Sequence, residues 1–446
     1  MSKDEYLITD APLKALTVFA MPMILGSFFQ QIYNMADSII VGQFVGSSAL
    51  AAVGACAALT NVFICVALGA GVGAGVLVSR YFGAKEYDKM KTIVSTSLLS
   101  FLILSIVLGV FGLCFSRPMM RGLQTPPDIL DEAVLYLRVY FAGFPFLFMY
   151  NILSTMFTSI GESRIPLALL IFSSVLNIFM DLWMVAGLGL GVLSAALATL
   201  IAQGISAVFS LLIFLSRMRR YQSPFQRFDG WELRSMLRIA VPSVLQQSTV
   251  SIGMMLVQSV VNSFGSQMLA GYSAAMRVES ICVVPMSAMG NAISSYTAQN
   301  IGAGKKERIP LGFRTGVKLS ELTALPFVIL YFIFSRQMMG LFLGAESVEA
   351  ISAGMAFLKI VSPWYFMIVI KLMTDGIIRG SGAMIYFVVA TVPDLILRIG
   401  FALVLTKSFG STGIWMAWPF GWIVATTLTL IFYRKLGYKN DKSSNF

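Results

Sequence analysis

Phe115-Ser116-Arg117-Pro118-Met119-Met120 returns 219 residues later as Phe334-Ser335-Arg336-Gln337-Met338-Met339. At the same spacing Phe82-Gly83-Ala84 is answered by Ile301-Gly302-Ala303 and Val45-Gly46 by Phe264-Gly265, while Ala20-Met21-Pro22 meets Ala240-Val241-Pro242 at 220. One spacing held over so long a stretch makes the chain two copies of one unit. Both copies consist of apolar runs such as Ile93–Phe115, Ile165–Ala186 and Phe313–Phe334, each long enough to cross a hydrocarbon core of about 30 Å. There are about twelve of these, six per copy. An even number brings both copies into the membrane in the same sense. The expected fold is an all-α integral membrane protein with twelve transmembrane helices in two six-helix repeats. An N-lobe spans residues 1–220, a cytoplasmic linker 221–236 and a C-lobe 237–446, with a central cavity between the lobes. This is the usual plan of a secondary transporter.

Composition sets the solvent. With 57% apolar residues, 12% charged and a mean hydropathy of +0.81, the chain is not an ordinary globular protein. Residues 1–14 have no cleavable-signal pattern, so the first span is the expected targeting signal. The four cysteines, Cys56, Cys65, Cys114 and Cys282, fall in or beside apolar segments without metal-ligand spacing and read as small packing residues. Histidine is absent. That excludes histidine-based triads and zinc sites and leaves a carboxylate as the expected proton carrier. With no nucleophile–base pair or metal-ligand set, the chain is not expected to be an enzyme, and no cofactor is expected beyond a coupling ion.

The net charge of +11 is an orientation signal. Of the 32 Lys and Arg residues, 23 lie in alternate connections, including Arg80–Lys91, Arg217–Arg238, Lys305–Lys318 and Arg434–Lys442. Arg117, Arg121, Arg336 and Lys407 fall in the intervening ones. This bias places both termini in the cytoplasm and makes the inner membrane the expected location. Nucleic acid is not an expected partner.

A carboxylate inside a bilayer costs about 2.5–3.5 kcal/mol on insertion scales and marks a functional position. In the first span Gln30, Tyr33, Asn34 and Asp37 share a helical face, with Gln31 beside them. In the fifth, Asn177 and Asp181 are one turn apart, and the sixth carries Thr199 among small residues. At about 1.5 Å per residue, Asp37, Asp181 and Thr199 lie roughly 8–12 Å below the outer face. Two carboxylates, an amide and a hydroxyl at one level suit a shared proton or a hard cation such as sodium. The second copy lacks this set. At a spacing of 219 its residues are Leu256, Ile396, Gly400 and Trp418. Its charges, Arg277 with Glu279, Lys371 with Asp375, and Asp394 with Arg398, read as structural ion pairs. Met276, Met286 and Met289 of the eighth span are candidate linings for an adaptable pocket.

These residues are similar to a known family. Ala20-Met21-Pro22, Gln31…Tyr33-Asn34…Asp37…Val41-Gly42…Gly46 and Leu50-Ala51-Ala52-Val53-Gly54 resemble the first two spans of multidrug and toxic compound extrusion (MATE) transporters. Gly69-Ala70-Gly71…Gly75 and Ser79-Arg80-Tyr81-Phe82-Gly83-Ala84 resemble the end of the second. The resemblance covers essentially the whole chain, and Asp37, Asn177, Asp181 and Thr199 match the coupling set of the DinF-type branch. The norfloxacin-pump branch uses a glutamate in the seventh span, whereas 246–262 here holds no carboxylate.

The resemblance implies a proton- or sodium-coupled antiporter exporting amphipathic, often cationic, small molecules by alternating access. Asp37, Asn177, Asp181 and Thr199 would be its cation site, and its metal site if the ion is sodium. Gln30, Gln31, Tyr33, Asn34, Met276, Met286 and Met289 would line the substrate cavity. A monomer in a lipid bilayer is the expected form. The alternative is a flippase for lipid-linked oligosaccharides or cell-wall precursors, which needs a more cationic cavity.

Overall fold

The computed structural model of the chain describes residues 5–40, 47–184, 192–343 and 347–438, apart from the side chains of 36–39, 47–50 and 58. Among these residues every regular element is helical. The first copy comprises α1 (Tyr6–Thr9), α2 (Pro12–Ile40), α3 (Ser47–Gly83), α4 (Tyr87–Gly122), α5 (Pro127–Ala142), α6 (Phe144–Ser159), α7 (Arg164–Leu182) and α8 (Val192–Met218). The second comprises α9 (Gly230–Asn262), α10 (Ser266–Gly302), α11 (Arg308–Ile333), α12 (Ser335–Gly340), α13 (Val348–Val361), α14 (Tyr365–Gly380), α15 (Met384–Phe409) and α16 (Thr412–Lys435). The repeat holds to the residue. Helix α10 begins 219 residues after α3 and ends 219 residues after it.

Ten described helices are long and apolar enough to cross a membrane, and α5 with α6, bent by 50° at Gly143, make an eleventh. Helix α10 is the twelfth by its place in the repeat. It spans 37 residues, but Arg277, Glu279 and Asn291 lower its hydropathy. A proline marks the corresponding break in each copy. Pro145 opens α6, and Pro363 sits in a 3-10 turn, Ser362–Trp364, between α13 and α14. A proline ring lacks the N–H that the helical ladder needs, so the regular helix is interrupted there.

The spans are apolar outside and small or polar inside, as lipid requires. Helix α4 exposes Ile103, Val107 and Val110 while burying Ser97, Ser105, Gly109, Gly112 and Ser116. With lipid as apolar as leucine, helices associate through close packing and hydrogen bonds, which small residues permit. Thus Ser79 Oγ donates to Ser159 O at 3.1 Å and Ser159 Oγ to Gly75 O at 3.0 Å, tying α3 to α6. In the second copy Gly290 of α10 faces the backbone of α14 at Leu372, and Gly376 of α14 faces Gly290 O so closely that no Cβ fits.

By contacts the chain forms two compact units, Leu25–Ala240, and Met1–Ile24 with Val241–Phe446. The divisions fall inside α2 and α9, beside Pro22 and Pro242. Asp229 caps α9 by accepting the Trp231 N–H at 2.7 Å. Within the first unit Lys91 Nζ donates to Tyr221 O and Ser223 O at 3.1 Å each, and Ser95 Oγ to Arg227 O at 2.7 Å. Within the second, Asn300 Nδ2 donates to Leu7 O at 3.1 Å, Lys305 Nζ to Ile8 O at 3.2 Å, and Arg308 to Asp10 O. Asp10 and Asp229 are themselves 219 apart. The segment leading into each copy is therefore clamped in an equivalent way.

Candidate functional site

In the unit Leu25–Ala240, α7 turns an inverted face inward. Phe172, Val175 and Phe179 are exposed, while Ser174, Asn177 and Asp181 are buried at i, i+3 and i+7. Asn177 is 1% and Asp181 0% exposed. Small residues on α8, Ser194, Ala195, Ala196 and Ala198, let α7 come close. Across that seam Asn177 Nδ2 donates to Thr199 Oγ1 at 3.2 Å. An amide, a carboxylate and a hydroxyl thus gather on two adjacent helices in a buried place. Such oxygens can take up a proton or a hard monovalent cation.

The backbone of α2 includes Asp37, but its side chain lies outside the described residues. The stripe before it is present. Gln30 Nε2 donates to Asn34 Oδ1 at 3.1 Å, Gln31 and Asn34 are exposed, and Tyr33 is half-buried. Among the described residues no three acidic, cysteine or histidine side chains gather as a metal site. The described part of the set is one carboxylate with neutral oxygens.

The other unit holds charges in a cavity of about 460 Å³. Lys371 Nζ meets Asp375 Oδ2 at 2.7 Å, and Arg398 Nη2 reaches both Asp394 oxygens at 2.9 Å. The guanidinium of Arg398 lies 4.5 Å from the ring centre of Trp418, the residue that replaces Thr199 in the repeat. These two ion pairs form as their i,i+4 spacing predicts. The third does not. Arg277 is exposed and Glu279 is buried, because two residues of helix turn them to opposite sides. Met276 lines this cavity, whereas Met286 and Met289 pack into the apolar core.

Arg379 also lines this cavity and donates to Asn291 Oδ1. Its position four residues after Asp375 extends the Lys371–Asp375 ladder by a turn, a signal legible in spacing. Gln246, Gln247 and Thr391 also face the cavity and carried no such signal.

The MatE family model matches residues 22–183 and 242–404, one match per copy. The chain is 28% identical over 424 residues to the Probable multidrug resistance protein YpnP of Bacillus subtilis (strain 168), covering 95% of each. It is 26% identical over 437 residues to the Probable multidrug resistance protein YoeA of the same organism, covering 94% of this chain and 93% of that one. Its fold matches the solved structure of a MOP superfamily transporter from Pyrococcus furiosus with a TM-score of 0.91 at 25% identity, covering 98% of each chain. The chain therefore belongs to the MatE family of multidrug and toxic compound extrusion transporters, and it is a multi-pass membrane transporter rather than an enzyme.

Proposed function

We propose that this transporter is a cation-coupled antiporter of the cell membrane that exports amphipathic, often cationic, small molecules. It would act as a monomer with both termini in the cytoplasm. The observation that carries the proposal is the buried carboxylate of Asp181 beside the Asn177–Thr199 hydrogen bond. A bilayer tolerates such a carboxylate where it handles charge. Asp37 takes the proton or sodium ion from outside, and Asn177, Asp181 and Thr199 complete its site, as in the DinF-type arrangement. Loading neutralises this level of the bundle and disfavours the drug-occupied outward state. Unloading to the inside resets it, so each state is favoured by one of the two ligands. The flippase reading is less well supported, since Lys371 and Arg398 are held by acids and leave few cations for a diphosphate.

The test is ethidium transport by the purified chain in proteoliposomes, with a proton or a sodium gradient imposed alone. One gradient should drive transport in the wild-type protein, and Asp37→Asn and Asp181→Asn should each lose that response while still folding. Full gradient-driven transport by either variant would remove the coupling role assigned to it.

A further inference from the structure

We infer that the cavity within the unit containing Val241–Phe446 is a binding site for an organic monocation, with Glu279 as the carboxylate that receives its charge. The inference rests on the exporter reading and assigns its substrate to particular side chains.

Glu279 is 4% exposed and lines the cavity. Among the described residues it makes no hydrogen bond and no ion pair. The other acids are committed. Asp375 is held by Lys371 and Asp394 by both contacts from Arg398. Arg398 is within electrostatic range of Glu279, but its Nη2 is already shared between the Asp394 oxygens and its face lies over Trp418. With Glu279 ionised, the group Glu279, Asp394 and Arg398 would hold one negative charge without a partner, a state that a positively charged occupant stabilises. A bare carboxylate in a low-dielectric place is costly, and a positively charged occupant removes that cost.

The remaining lining describes the rest of the occupant. Met254, Met276 and Val283 supply an apolar wall, with Trp422 and the Trp418 ring, which Arg398 covers, packed behind it. Methionines adapt to bodies of different shape. A volume of about 460 Å³ falls within the range of small-molecule sites. Gln246, Gln247 and Thr391 add neutral polar groups to the lining, and its methionine and valine side chains suit an organic cation better than a hard ion, which needs several oxygens at short range. An anion fits poorly at this end as well. Arg379, the other charge without an ion pair among the described residues, is held by Asn291. Asn291 lies twelve residues from Glu279 on α10, about 18 Å along the helix. The cavity thus has an unpaired acid towards one end and Arg379 towards the other, with the Lys371–Asp375 and Arg398–Asp394 pairs and apolar side chains also in its lining, which orients an amphipathic cation.

The experiment measures equilibrium binding of ethidium to the full chain in detergent by fluorescence, alongside thermal melts. Glu279→Gln should weaken binding by about tenfold or more, because a desolvated charge pair loses its partner. Glu279→Asp should fall between that variant and the wild type. Glu349→Gln, on an exposed position outside the cavity, should bind as the wild type does. Met276→Trp, which fills the cavity and keeps the acid, should also weaken binding and covers the case in which Glu279→Gln does not fold. Unchanged affinity in folded Glu279→Gln or Met276→Trp overturns the inference and leaves the exporter reading standing. Absence of both ethidium binding and ethidium export in the wild-type protein defeats the exporter reading itself. If Glu279→Gln binds ethidium normally but no longer responds to an imposed gradient, Glu279 is a coupling acid and the organic-cation site is overturned.

Discussion

The Thr199 hydroxyl accepts the Asn177 amide across the α7–α8 seam. Thr199→Val keeps the shape and removes the acceptor. Hydrogen bonds between membrane helices are worth about 0.6–2 kcal/mol, so this variant should stay folded, with a slightly lower melting temperature. Its gradient-driven ethidium transport in proteoliposomes should fall severalfold, because the amide beside Asp181 loses its fixed orientation. Asp394 makes the opposite kind of contribution. Asp394→Asn takes from the buried Arg398 guanidinium its hydrogen-bonded counter-charge, a change that costs about 3–5 kcal/mol in such pairs and less where the Glu279 carboxylate takes its place. A thermal melt should show a large loss of stability for Asp394→Asn and a much smaller one for Asp394→Met combined with Arg398→Met. At this scale Asn177, Asp181 and Thr199 were legible because polar residues in long apolar runs are conspicuous. Glu279 was misread as the partner of Arg277, because adjacency in sequence says nothing about which side of a helix a residue faces.

Between elements, close approach decides which helices pair. Gly376 and Gly380 lie one turn apart on α14, and each faces the α10 backbone, at Gly290 O and Ser294 O. Gly376→Leu forces the two helices apart, with an overpacking cost of about 1–3 kcal/mol or more. It should lower the melting temperature and the monodisperse fraction in size-exclusion chromatography, whereas Gly54→Leu, with no atom in the way, should do neither. Helix existence was plain from hydropathy and the repeat. The division into units was not. It falls beside Pro22 and Pro242 within continuous helices, and a composition shift marks a linker, not the side on which half a helix packs.

For the whole molecule the testable statement is orientation. The segment 221–229 should face the cytoplasm, as the distribution of basic residues requires. In a variant with its four cysteines replaced by alanine, Ser223→Cys should resist an impermeant maleimide in intact cells and react after permeabilisation. Labelling of intact cells would invert the topology. The sequence by itself determined that the chain is an all-helical membrane protein in two copies, since a bilayer demands long apolar segments and repetition is visible letter by letter. Only the tertiary structure decided which oxygens meet, which acids are paired and where a cavity opens. Those depend on the rotation of each helix about its own axis, which is fixed by packing against neighbours that are distant in the chain.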